Sequence, residues 1–163
     1  MTDFSNRPKM EDIFPYIEAS IKDGGQFVLY PRGKSMNPTI YEGKDCVVLK
    51  EIKEPRQFDI VLYRRKDGKF VMHRIMKIKN GKYTMCGDNQ YEFEKGLERD
   101  QLLAVVTEVR KEDGSVYDYS KILADGKKFL YDRKSGGTGW NFRRSKALVF
   151  GNRIFRRKRR HYS

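Results

Sequence analysis

The sequence has little of several things that would place it quickly. Only two cysteines, Cys46 and Cys86, occur in 163 residues. Two do not make the disulfide framework of a small secreted domain, and the expectation is a pair of small half-buried hydrophobes. Long apolar runs are missing too. Cys46-Val47-Val48-Leu49 and Leu102-Leu103-Ala104-Val105-Val106 fall far short of the roughly 20 residues needed to span a bilayer. Residues 1–30 show no basic start followed by an apolar stretch and a small-residue cleavage site, because Asp3, Glu11, Asp12 and Glu18 interrupt any such pattern. A cytoplasmic protein is expected, with peripheral attachment to the inner face of the membrane as an option.

Acidic residues are absent after Asp132. Residues 133–163 carry eleven Lys or Arg and no Asp or Glu, so of the net charge of +13 only +2 belongs to the rest of the chain. The body is nearly neutral and the tail is the basic element. With 38% hydrophobic residues the body suffices for one compact domain with a modest core.

What is present divides into three stretches. Apolar residues at Ile13, Phe14, Ile17 and Ile21 have helical spacing, and Gly24-Gly25 stop it, so residues 1–25 form a helical lead-in with its helix at 11–22. From 26 to 132 the pattern changes to short runs rich in Val, Ile, Phe and Tyr. Seven of these read as strands: 26–30, 46–49, 59–63, 70–78, 83–86, 102–109 and 116–119. Asp67-Gly68, Asn80-Gly81 and Asp113-Gly114 supply hairpin turns between them. The fold class expected is mainly β, an antiparallel sheet with a short N-terminal helix. Residues 133–163 then read as a Gly-rich linker, Ser135-Gly136-Gly137-Thr138-Gly139, and a basic amphipathic tail.

Three places carry candidate chemistry. Gly33-Lys34-Ser35-Met36-Asn37-Pro38-Thr39-Ile40 can expose a hydroxyl, although the same residues suit any surface turn. His73 is the one histidine outside the tail. Strand alternation puts it on one face with Val71 and Ile75, and Phe70, Met72 and Met76 on the other. Such a histidine serves equally as a structural residue. Cys86-Gly87-Asp88-Asn89 ends a strand in a turn, where Asp88 either bonds backbone N–H groups or orients an imidazole. The combination Cys46, His73, Cys86 and Asp88 matches no zinc spacing, so neither metal nor cofactor is expected.

Together and in this order, the motifs of residues 26–109 resemble those of the type I signal peptidases and the repressor-type self-cleaving proteases. Ser35-Met36-x-Pro38-Thr39-Ile40 looks like the nucleophile box, Asp59-Ile60-Val61 like the Gly-Asp-hydrophobic-Val strand with Phe58 in place of the glycine, His73-Arg74-Ile75 like the base box, and Gly87-Asp88-Asn89 like the last box. The resemblance implies a signal-peptidase-like β-fold and a serine endopeptidase. In it Ser35 attacks, His73 is general base, Asp88 orients His73, the Ser35 backbone N–H binds the oxyanion, and Met36, Pro38, Gly87 and Asn89 support the site. The substrate is a peptide in extended conformation. A peptide-binding module without catalysis is the alternative on the same fold.

With neither a transmembrane anchor nor a helix-turn-helix domain expected before the nucleophile box, the chain resembles the small soluble bacterial members of this superfamily. In the tail, Trp140, Phe142, Leu148, Ile154 and Phe155 alternate with Arg and Lys. That pattern suits an anionic membrane surface through residues 140–160, or a helix docked on the sheet, and less well nucleic acid. Removing residues 140–163 is expected to weaken binding to anionic vesicles in a sedimentation assay while leaving hydrolysis of a short soluble peptide intact. Unchanged vesicle binding would end the membrane reading.

Overall fold

A computed structural model describes residues 7–134. The lead-in forms helix α1, Met10–Ile21. Eight strands follow: β1 Gln26–Leu29, β2 Cys46–Glu51, β3 Ile60–Arg64, β4 Phe70–Lys79, β5 Lys82–Cys86, β6 Glu94–Leu97, β7 Leu102–Arg110 and β8 Val116–Tyr117; helix α2, Tyr119–Lys134, comes last. The strands form one antiparallel sheet in the order β1-β2-β7-β3-β4-β5-β6, with β8 added to β7. No helix among the described residues is long and apolar enough to cross a membrane.

The antiparallel sheet and the leading helix are as the periodicity predicts, and the turn at Asn80-Gly81 has the two positive φ values, 52° and 69°, that a tight hairpin demands. Central strand β3 lies between β7 and β4. Ile60 and Leu62 enter a core shared with α1, β2 and the Ser35 loop, whereas Val61 and Tyr63 enter a second core with Ile75, Tyr83, Met85 and Leu102. A strand covered on both faces shows an unbroken apolar run instead of alternation, which is how Ile60-Val61-Leu62-Tyr63 reads.

Two elements depart from expectation. Strand β6, Glu94-Lys95-Gly96-Leu97, has no alternating apolar pattern and is held by pairing with β5. Helix α2 begins where a strand over 116–119 is expected. Asp118 caps it, its Oδ1 accepting the Lys121 N–H at 2.9 Å, and Ile122 is buried in the first core. Of the expected linker and tail, residues 133 and 134 end α2, and the remainder lies outside the described residues.

Candidate active site

Sheet register creates an opening beside β4. Residues Phe70 to Arg74 pair with β3, but pairing with β5 starts only at Arg74↔Cys86. The β4 backbone from 70 to 73 therefore has a strand on one side only. After Cys86 the chain turns away from β4, and the Ser35 loop lies against this departing segment. The Asn89 N–H donates to the Ser35 carbonyl at 2.8 Å, and Asn89 Nδ2 donates to the Lys34 carbonyl at 3.0 Å. Gly87 is required by this contact, since an added Cβ would stand 2.5 Å from the Ser35 oxygen. The loop's apolar residues Met36 and Ile40 drop into the first core. Its far side is held by Lys111, whose Nζ donates to the Thr39 carbonyl at 3.1 Å and the Pro38 carbonyl at 3.5 Å and pairs with buried Asp45.

Ser35 itself is half-buried. It borders a recess of about 200 Å³ that Met36, Ile40, Phe70, Val71 and Met72 also line. An apolar groove of about 570 Å³ adjoins it, sharing Pro31, Arg32 and Phe70 to Met72 and extending past Phe27, Leu29, Met10 and Ile13. Among the described residues neither the Ser35 Oγ nor the Ser35 backbone N–H makes a hydrogen bond, so both the hydroxyl and the N–H are available to a ligand.

His73 is 4% exposed. Its Nδ1 lies 3.1 Å from the Tyr63 hydroxyl, and Nε2 takes no hydrogen bond from a described residue. Burial, followed by the charge of Arg65, lowers the imidazole pKa to about 4, against weaker opposing pulls from Glu94 and Asp88. No hydrogen bond joins His73 to Ser35. Lys34, Lys69 and Lys77, the other bases near the motifs, are exposed.

Asp88 does not orient His73. The neighbouring Arg74 points the other way along β4 and takes both carboxylate oxygens, Nε to Oδ1 at 2.8 Å and Nη2 to Oδ2 at 2.7 Å. The Thr39 hydroxyl donates to Oδ2 at 2.5 Å. Both members of the pair are fully buried. Arg74 Nη1 in turn donates to the Phe58 carbonyl at 2.9 Å and the Ile122 carbonyl at 2.5 Å. Asp88 thus ties the nucleophile loop to β4, and Arg74 ties β4 to α2.

A family model described as Peptidase S24-like matches residues 3–110, about two thirds of the chain. The chain belongs to the peptidase S24-like family. No curated protein and no solved structure matches it. The family match runs from α1 through β7 and includes all four motifs, which makes the fold that of a peptidase or self-cleaving protein. Phe58 explains one departure from the motifs: its φ is 77°, a left-handed conformation in which glycine is the unstrained choice. The ring is used instead, packing on α2 at Gly126, where an added Cβ would be 2.6 Å from the Phe58 Cβ.

Sequence reasoning missed Arg74, Tyr63, Arg65 and Glu94. The register of β3 with β4, Val61↔His73 and Tyr63↔Val71, puts Tyr63 diagonally across from His73 on one face. The Asp67-Gly68 hairpin makes that pairing recoverable from sequence. Glu94 had no such signal, because β6 carries no strand pattern.

Proposed function

We propose that this peptidase S24-like chain is a serine endopeptidase that cuts an extended peptide bound along the free side of β4, with Ser35 as nucleophile and His73 Nε2 as general base. The observation that carries the reading is the open β4 backbone at 70–73, where the Ser35 recess and the apolar groove meet. A peptide added as a strand there would gain backbone hydrogen bonds and place alternate side chains in the groove. Its scissile carbonyl would lie beside Ser35, whose unpaired backbone N–H is the natural oxyanion donor. Nε2 takes the hydroxyl proton as the tetrahedral intermediate forms, and the imidazolium returns it to the leaving amine. The hydrogen bond between serine and base forms in the substrate complex, a tightening common to catalytic pairs.

The test is acylation of the full chain by a serine-directed probe across a pH series. Only neutral imidazole can accept the proton, so the rate is lost as pH falls through the His73 pKa. With that value lowered to about 4, the rate is expected to hold from pH 7 down through 6 and to fall to half near pH 4. Ser35→Ala is expected to abolish labelling. A midpoint at the ordinary histidine value of about 6.5 would mean that His73 is not desolvated as described. Labelling that persists in Ser35→Ala would end the assignment. The same depression destabilises the fold as pH drops from about 6.5 towards 4, because the unfolded chain binds the His73 proton first.

A further inference from the structure

Beyond the recess, three side chains form a chain of hydrogen bonds that ends on His73. Tyr63, fully buried, donates its hydroxyl to Glu94 Oε2 at 2.6 Å. Glu94 also receives Arg65 through both oxygens, Nε to Oε1 at 2.9 Å and Nη2 to Oε2 at 2.9 Å. Burial raises the Glu94 pKa, but hydrogen bonds from Arg65 and Tyr63 and the guanidinium charge outweigh it and hold the carboxyl below its usual range. Burial and the Glu94 carboxylate push the Tyr63 hydroxyl far above its ordinary value.

The protons can then be counted. An ionised carboxylate only accepts, and a phenol has one proton to give. Since Tyr63 gives that proton to Glu94, its oxygen can only accept from His73, and Nδ1 must carry a hydrogen. A neutral ring holds one such hydrogen, so Nε2 is bare. The opposite assignment would set a tyrosine lone pair against a carboxylate oxygen at 2.6 Å.

We propose that Tyr63 and Glu94 are positioning residues for His73, a carboxylate–tyrosine–imidazole relay that fixes the Nδ1–H tautomer and keeps the Nε2 lone pair for the Ser35 proton. The catalytic part of this rests on the serine peptidase reading above; the tautomer does not. The relay supplies what an aspartate does in other serine hydrolases, with a phenol inserted between carboxylate and ring. Arg65 keeps Glu94 ionised. The charged and titratable groups that act on the ring are Arg65 just after β3, Tyr63 within β3, Glu94 on β6 and Asp88 after β5.

The experiment is a long-range ¹⁵N–¹H correlation spectrum of the full chain at pH 7, with His73 distinguished from His161 by comparison with His73→Ala. His73 is expected to carry its hydrogen on Nδ1, the reverse of the Nε2–H form preferred by an imidazole free in water. Tyr63→Phe removes the acceptor and is expected to move the ring towards Nε2–H. On a peptide substrate the same variant should lose about tenfold or more in kcat with KM little changed, part of the roughly 10²–10⁴ that general-base catalysis contributes. Wild-type His73 found as Nε2–H would overturn the relay whatever the activity, and requires no variant to fold. Wild-type kcat in Tyr63→Phe would overturn the positioning role. A chain inactive on peptides whose Nδ1–H is present and is lost in Tyr63→Phe would uphold the relay and defeat the peptidase reading.

Discussion

Alanine at Ser35 or at His73 is expected to remove peptide hydrolysis by roughly 10³- to 10⁶-fold, and the double variant is expected to be no worse than either single. Once the hydroxyl is gone the base has no proton to take, and once the base is gone the hydroxyl remains a poor nucleophile at neutral pH. The two losses therefore overlap. Ser35→Ala is the cleaner substitution, because its Oγ makes no hydrogen bond to a described residue and the urea midpoint should not move. His73→Ala also deprives Tyr63 of a partner, so its midpoint should be measured beside its kinetics. Full activity in either single variant would remove that residue from the mechanism, and strictly additive losses would mean that the two act independently.

The second large effect is on stability. Arg74→Ala and Asp88→Ala are each expected to cost about 3–5 kcal/mol, because either leaves an uncompensated charge where the partner has no access to water. Loss of that size is a large share of the roughly 5–15 kcal/mol by which a domain is stable. It should appear as a much lowered urea midpoint. Combining the substitutions should cost less than the sum, since the second removes the charge that the first has orphaned. Additive losses would show that the pair is not coupled. Neither use of Asp88 that the sequence left open is the one found, because its oxygens accept from Arg74 and the Thr39 hydroxyl instead of backbone N–H groups or the imidazole. It serves the site by holding the Ser35 loop through Thr39, and it leaves the imidazole to Tyr63.

The sequence made the sheet legible because short runs rich in Val, Ile, Phe and Tyr are punctuated by hairpin chemistry, and Asn80-Gly81 both announces and forms its turn. Elsewhere, reading failed for identifiable reasons. Strand β6 owes its conformation to β5, and nothing within Glu94-Lys95-Gly96-Leu97 declares it. Helix α2 was readable: Asp118 is a good cap and Ile122, Leu123, Phe129 and Leu130 have helical spacing. The run from 116 to 119 read as a strand instead. Ser35, His73 and Asp88 were legible as a group because their motifs occur in family order. The partners of His73 and Asp88 were not, since which carboxylate reaches which cation depends on side-chain direction, and Arg74 and His73 leave β4 on opposite faces.

Helix α2 lies beyond the residues that the family model matches, yet it closes on the family's own motifs at three points. The Tyr119 hydroxyl donates to Asp59 at 2.5 Å, the Ile122 carbonyl receives Arg74, and Gly126 admits the Phe58 ring. A chain ended at residue 110 would retain every signature by which the family is recognised. It would also leave a buried guanidinium one acceptor short, a carboxylate without its phenol, and a left-handed phenylalanine with no surface to rest on. What defines this lineage on paper and what lets this protein stand are therefore not the same stretch of chain.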